Sequence, residues 1–154
     1  MITFELIKKN FVCMKRTAPI LFIMALVFLS GSAKAQRAVS DTLAYAKKFE
    51  VNKEKYIGKK FSLLLKDMTQ LPFKKAKSDI RQDGNDPLPS TLFRFSGKDI
   101  DASGEVTMVI RWKPDDTPTT PLEFFEQEHN YGFTVNEKNF FENKIIRDLV
   151  VYKQ

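Results

Sequence analysis

Apolar residues change their spacing several times after Ser40, and each change predicts an element. Ser40-Asp41 offers an N-cap to a short helix running to about Phe49, with Leu43, Ala46 and Phe49 three residues apart on one face. Phe61, Leu64, Leu65 and Met68 then recur at i, i+3, i+4 and i+7, the stripe of an amphipathic helix beginning just after Gly58. Phe73 to Ile80 carries Lys74, Lys75 and Lys77 and reads as an irregular edge strand, because lysine on an outer strand discourages unwanted pairing. Asp83-Gly84-Asn85-Asp86-Pro87 has the composition of a turn.

The pattern then alternates. Thr91 to Ser96 places Phe93 and Phe95 on one side, and Val106 to Lys113 places Val106, Met108, Ile110 and Trp112 on one side with Thr107, Arg111 and Lys113 on the other. These are strands with one buried face, joined through Gly97 to Glu105. Thr120-Pro121-Leu122-Glu123 combines an N-cap, a proline at N1 and a capping-box glutamate, predicting a helix to about Glu128, although Leu122, Phe124 and Glu126 also fit a strand. Thr134-x-x-Glu137 repeats the capping box ahead of Phe140 and Phe141. The run Ile145 to Tyr152 is apolar on both faces apart from Arg147 and Asp148, the pattern of a central strand covered by helices. The expected fold is α+β: a single small domain with a mainly antiparallel sheet of about four strands and short helices.

The first 35 residues follow a different logic. Lys8, Lys9, Lys15 and Arg16 form a positive region, Ile20 to Leu29 is an unbroken apolar run, and Ala33-Lys34-Ala35 has the small-x-small pattern read by signal peptidase. A membrane span needs about 20 apolar residues, and this run is half that length and preceded by Pro19. Residues 1–35 are therefore expected to be a signal peptide, leaving residues 36–154 as an exported domain beginning at Gln36, periplasmic or secreted, with no transmembrane helix. Met14-Lys15-Arg16 would itself open a leader of ordinary length. The one cysteine, Cys13, precedes the apolar run, so neither a lipidated cysteine nor a disulfide is expected in the mature chain.

Removing that segment changes the charge. The whole chain carries 25 bases against 19 acids; the leader holds five of the bases and one acid, Glu5, leaving 20 against 18. The net charge falls from +6 to +2, so the basic isoelectric point is no argument for a nucleic-acid partner. The remaining charge is segregated. From Lys47 to Arg81 there are 11 bases against 4 acids, and from Gln82 to Gln154 there are 8 against 13. Either the two segments pack with complementary fields, or a basic face meets an anionic partner. Lys59, Lys60, Lys74 and Lys75 are the candidate basic surface; as point charges, lysines suit phosphate, sulfate or carboxylate groups.

Catalytic constellations are sparse. His129, the sole histidine, sits in Glu126-Gln127-Glu128-His129-Asn130 before a turn and reads as a solvated helix-end residue without a nucleophile motif. One histidine and no mature cysteine do not supply a zinc site. Asp99, Asp101 and Ser103 before Gly104 resemble the first half of a calcium loop, although the position that should bear a bidentate glutamate is Ile110. No cofactor is expected beyond that possible calcium.

Tyr56-Ile57-Gly58-Lys59-Lys60-Phe61-Ser62, the Ile146 to Tyr152 strand and the Ala33-Lys34-Ala35-Gln36 junction are similar to segments of small, uncharacterised exported proteins of the Bacteroidetes. The resemblance implies envelope localisation and brings no activity or site residues with it. The expected function is a non-catalytic binding or interaction module of the bacterial cell envelope, its partner an anionic envelope component or another protein. The alternatives are a carboxylate-dependent hydrolase acting on an envelope glycan, which needs two opposed acids, and a calcium-dependent binding module.

Overall fold

The computed structural model describes residues 41–82 and 85–153. The leader and its cleavage junction, Ser40, and Asp83 and Gly84 of the expected turn lie outside the described residues. The elements in chain order are α1 (Thr42–Val51), a 3-10 turn (Lys53–Lys55), α2 (Phe61–Asp67), β1 (Lys75–Asp79), β2 (Ser90–Arg94), β3 (Val106–Trp112), α3 (Thr120–Glu128), α4 (Val135–Phe141) and β4 (Ile146–Lys153). The fold is α+β, with one four-stranded antiparallel sheet in the order β1-β2-β3-β4.

Alternation decides which side chains meet. Ala76, Phe93, Met108 and Val151 form one row across the sheet and point into the core. Phe49 of α1, Phe61 and Leu64 of α2, Leu122 of α3 and Phe141 of α4 belong to the same core. Phe61 stands at its centre, its ring 5.2–6.4 Å from those of Phe73, Phe93, Trp112, Phe133 and Phe141. Each such aromatic pair adds about 0.5–1.5 kcal/mol beyond simple burial. On the opposite sheet face Lys77, Leu92, Val109 and Val150 form a half-buried row. The β2–β3 connection folds beside it: Arg94 Nη1 donates to the Ala102 carbonyl at 2.5 Å, and Ile100 is buried.

Both sheet edges are partly covered. On β4 the outward amide of Val151 donates to Glu50 Oε1 at 2.9 Å, while Gly58 N donates to the Ile146 carbonyl and Ile146 N to the Lys59 carbonyl. Gly58, at φ +75°, supplies the left-handed turn that brings this segment alongside β4. On β1 the Ala76 amide donates to the Tyr131 carbonyl and the Phe133 amide to the Lys74 carbonyl. These bonds occupy part of each edge ladder that would otherwise be open to another chain.

Two sequence expectations need correction. Ile145 to Tyr152 is not a central strand: β4 lies at the edge of the sheet. It is apolar on both sides because Ile146, Leu149 and Val151 enter the core, Val150 joins the opposite row, and α1 and the 58–60 segment enclose its outer edge. The register slips between Arg111 and Trp112, whose partners are Asp148 and Ile146, so Arg147 is the extra residue of a bulge and points outward. The third helix begins one residue earlier than its proline pattern suggested. Thr119 is its N-cap, in a helical conformation without a side-chain cap bond, and its hydroxyl instead meets Glu123 Oε1 at 3.3 Å. The capping box at Thr134 and Glu137 forms as the sequence predicted.

Candidate functional site

Five of the eleven bases of the basic segment are neutralised by ion pairs on folding. Lys47 pairs with Glu50 at 2.6 Å, Lys53 with Asp148 at 2.8 Å, Lys55 with Asp67 at 2.7 Å, Lys77 with Asp101 at 2.9 Å and Arg81 with Asp79 at 2.7 Å. The Lys53 and Lys77 pairs join the basic segment to the acidic one. Hydrogen bonds from Lys53 hold the Asp148 carboxyl below the usual carboxylate range, and those from Lys55 and Tyr56 do the same to Asp67. Burial, reinforced by the Asp67 carboxylate, pushes the Tyr56 phenol up to about 12.

Lys59, Lys60, Lys74 and Lys75 are treated differently. None has a carboxylate within ion-pair distance among the described residues. Lys60 precedes α2 in extended backbone and its Nζ donates to Asn143 Oδ1 at 3.0 Å. Lys75 opens β1 and its Nζ donates to the Asn130 carbonyl at 2.7 Å. These acceptors are neutral, so the ammonium charges stay uncompensated. The backbones are fixed all the same. Lys59 and Lys60 are tied to β4 through Ile145 and Ile146, and Lys74 is bonded on both sides, its amide to the Arg94 carbonyl and its carbonyl to the Phe133 amide. Phe61 and Phe73, immediately after the first pair and before the second, are anchored in the core. The structure places Lys59 and Lys60 beside the C-terminal end of α4 and Lys74 and Lys75 beside the segment leading into it.

The oxygen-rich loop is used internally. Asp99 Oδ1 accepts from the Asp101 amide at 2.9 Å, Asp101 is engaged by Lys77, and Ser103 lies exposed in the turn before Gly104. Glu105 is held by Lys98 at 2.6 Å. Asp83 lies outside the described residues. Among the described residues no three His, Cys, Asp or Glu side chains converge to hold a metal ion.

The sequence reading missed a buried polar cluster beneath α3 and α4. His129 is partly buried and structurally engaged: its Nδ1 lies 2.6 Å from Oε1 of Glu137, which is fully buried. Oε2 of the same carboxylate accepts from the Thr134 amide at 2.7 Å and hydroxyl at 2.6 Å. Burial raises the Glu137 pKa, but these hydrogen bonds outweigh it and hold the group below its ordinary range. An ionised carboxylate only accepts, so Nδ1 carries a hydrogen. Glu126 moves the other way. Burial pushes its pKa up, hydrogen bonds from the Ser78 side chain and amide oppose that only in part, and its Oε1 finds no partner among the described residues.

No family model, curated protein or solved structure matches the chain.

Its chemistry therefore rests on the site itself. Two carboxylates with oppositely shifted pKa values satisfy one condition for acid–base chemistry. Here the oxygens of Glu137 are spent on Thr134 and His129, and Glu126 is enclosed against Ser78. They lie at the α3–α4 connection beside the β1 edge, where Asn130 and Tyr131 take positive φ values of 46° and 59°. Such backbone is costly and persists only where surrounding bonds impose it. Here the Tyr131 amide donates to the Glu126 carbonyl and its own carbonyl accepts from Ala76. The turn thereby presents the Asn130 carbonyl to Lys75. The capping box was visible in the sequence; the convergence of Glu126, His129 and Glu137 depends on tertiary packing.

Proposed function

We propose that residues 36–154 act, after export, as a non-catalytic binding module of the bacterial cell envelope that engages an anionic partner through Lys59, Lys60, Lys74 and Lys75. One observation carries this reading. Five other cations of the Lys47–Arg81 segment have carboxylate partners, whereas Lys59, Lys60, Lys74 and Lys75 have none among the described residues; Lys48 and Lys66 also lack one, but only these four come as adjacent pairs on backbone bonded to β4 or to the segment before α4. An uncompensated ammonium group near the surface attracts anions over roughly one Debye length, about 8–10 Å at moderate salt. Export is supported by the three-part leader pattern, and no helix among the described residues is long and apolar enough to cross a membrane.

The test is retention on an anionic matrix at about 50 and 300 mM salt, where screening differs by more than twofold in range. The mature domain is compared with a variant in which all four lysines are glutamine. The parent should be retained at the lower salt and released at the higher, and the variant should elute early at both. Equal, salt-independent retention of the two would refute the assignment.

A further inference from the structure

Lys60 and Lys75, one from each lysine pair, are hydrogen-bonded near opposite ends of one helix, and this constrains what binds them. Lys60 reaches Asn143, just beyond the C-cap of α4, while Lys75 reaches Asn130 in the segment leading to its N-terminus. The seven residues of α4 span about 10 Å at 1.5 Å per residue. A lone phosphate or carboxylate satisfies the ammonium groups at one end and leaves the other end uncompensated. A chain bearing repeated negative groups satisfies both.

We infer that the ligand is a flexible linear polyanion that contacts both ends of α4 at once, the two lysine pairs acting as separate subsites; this rests on the function proposed above. Lys138 adds support, being exposed on α4 between the pairs with no carboxylate partner among the described residues. Glu142, the C-cap of α4, shows why a flexible chain suits the surface better than a flat anionic bilayer. It is half-exposed beside the Lys60 end without a cation partner among the described residues, so the track between subsites is not uniformly positive. A chain steps around such a residue; a plane of headgroups meets it. Lysines lack the guanidinium fork, so each subsite recognises charge and spacing rather than one anion geometry. Affinity then comes from linking two weak contacts, which raises binding by about 10²–10⁴ over either alone.

The repeated charge has two candidate sources, inorganic polyphosphate and an acidic polysaccharide, and competition separates them. The mature domain is titrated with orthophosphate, a polyphosphate long enough to span α4, an acidic polysaccharide and anionic vesicles. The same titrations are run on Lys59→Gln with Lys60→Gln and on Lys74→Gln with Lys75→Gln, buried Trp112 fluorescence reporting that each variant is folded. One or both polymers should bind at least about 10-fold tighter per charge than orthophosphate, as linkage requires, and the stronger competitor identifies the charged group. Either double variant should abolish that advantage. Equal affinity per charge for orthophosphate and polymer, or loss confined to one lysine pair, would overturn the two-subsite inference while leaving anion binding in place. Binding to vesicles without competition from either polymer would overturn it in favour of a membrane surface. Absence of binding to every probe would overturn the function proposed above along with it.

Discussion

Trp112 Nε1 donates to Thr91 Oγ1 at 2.9 Å, at the buried start of a polar thread that leads out of an otherwise aromatic core. Indole only donates, so Thr91 accepts, and its own hydroxyl hydrogen is free for Ser78 Oγ 3.1 Å away. Ser78 in turn donates to the Glu126 carboxylate at the β1 edge. Three strands, β1, β2 and β3, and α3 meet along this thread.

Thr91→Val keeps the shape of that position and removes the acceptor. Thr91 and Trp112 are both fully buried, so the indole N–H loses its partner at an expected cost of about 1–3 kcal/mol. Urea unfolding followed by fluorescence measures this directly, since Trp112 is the only tryptophan. Unchanged stability would mean that the bond contributes nothing net.

Much of this architecture is legible in the sequence. Alternation in Val106 to Lys113, the stripe from Phe61 to Met68 and the Thr134–Glu137 capping box correspond to β3, α2 and the start of α4. These signals are local, each set by the period of one element. Strand order is not local, which is why β4 resembles a central strand: its outer edge is covered by α1 and by residues 58–60, which nothing in its own eight residues specifies. The candidate surface was half legible. Lysine density is visible along the chain, but folding decides which lysines keep their charge uncompensated, by giving Asp148 to Lys53 and Asp101 to Lys77. The Glu126, His129 and Glu137 cluster was missed for the same reason. His129 reads as a solvated helix-end residue in the sequence because Glu137 reaches it only once α4 has packed.

Glu126 makes the domain's stability depend on pH in an unusual direction. Its carboxyl pKa is raised by burial, against the Ser78 hydrogen bonds, so its contribution is full below the ordinary glutamate value near 4.3 and is lost as pH rises through the higher folded-state value. Asp148 and Glu137 have lowered values, so their contributions are present above the ordinary range and are lost as pH falls through the folded values. Glu126→Gln is therefore expected to stabilise the domain at pH 7–8 by about 1 kcal/mol, the scale of one poorly satisfied buried polar group. The difference should shrink towards zero at about pH 4, where both forms are neutral. Thermal unfolding across that range checks it; a variant less stable than the parent at every pH would show that the charged form is well satisfied.

Calcium should do little. Asp99 is occupied by a turn amide and Asp101 by Lys77, and a ligand shifts stability only through affinity for the folded state. Millimolar Ca²⁺ is expected to move the melting temperature by less than about 2 °C. A larger shift, abolished by Asp99→Asn with Asp101→Asn, would establish a calcium module instead.

The lysine surface is tested most directly by the salt dependence of polyanion binding. Each anionic group neutralised on a flexible chain contributes a slope of about −0.7 to log K against log salt. Affinity for polyphosphate is measured over a salt series for the mature domain and for the variant with Lys59, Lys60, Lys74 and Lys75 all changed to glutamine. A parent slope of about −2 to −3, collapsing towards zero in the variant, is the expected result for three or four neutralised charges. The same slope and affinity in both proteins would contradict it, because the charge that binds would then lie elsewhere on the domain.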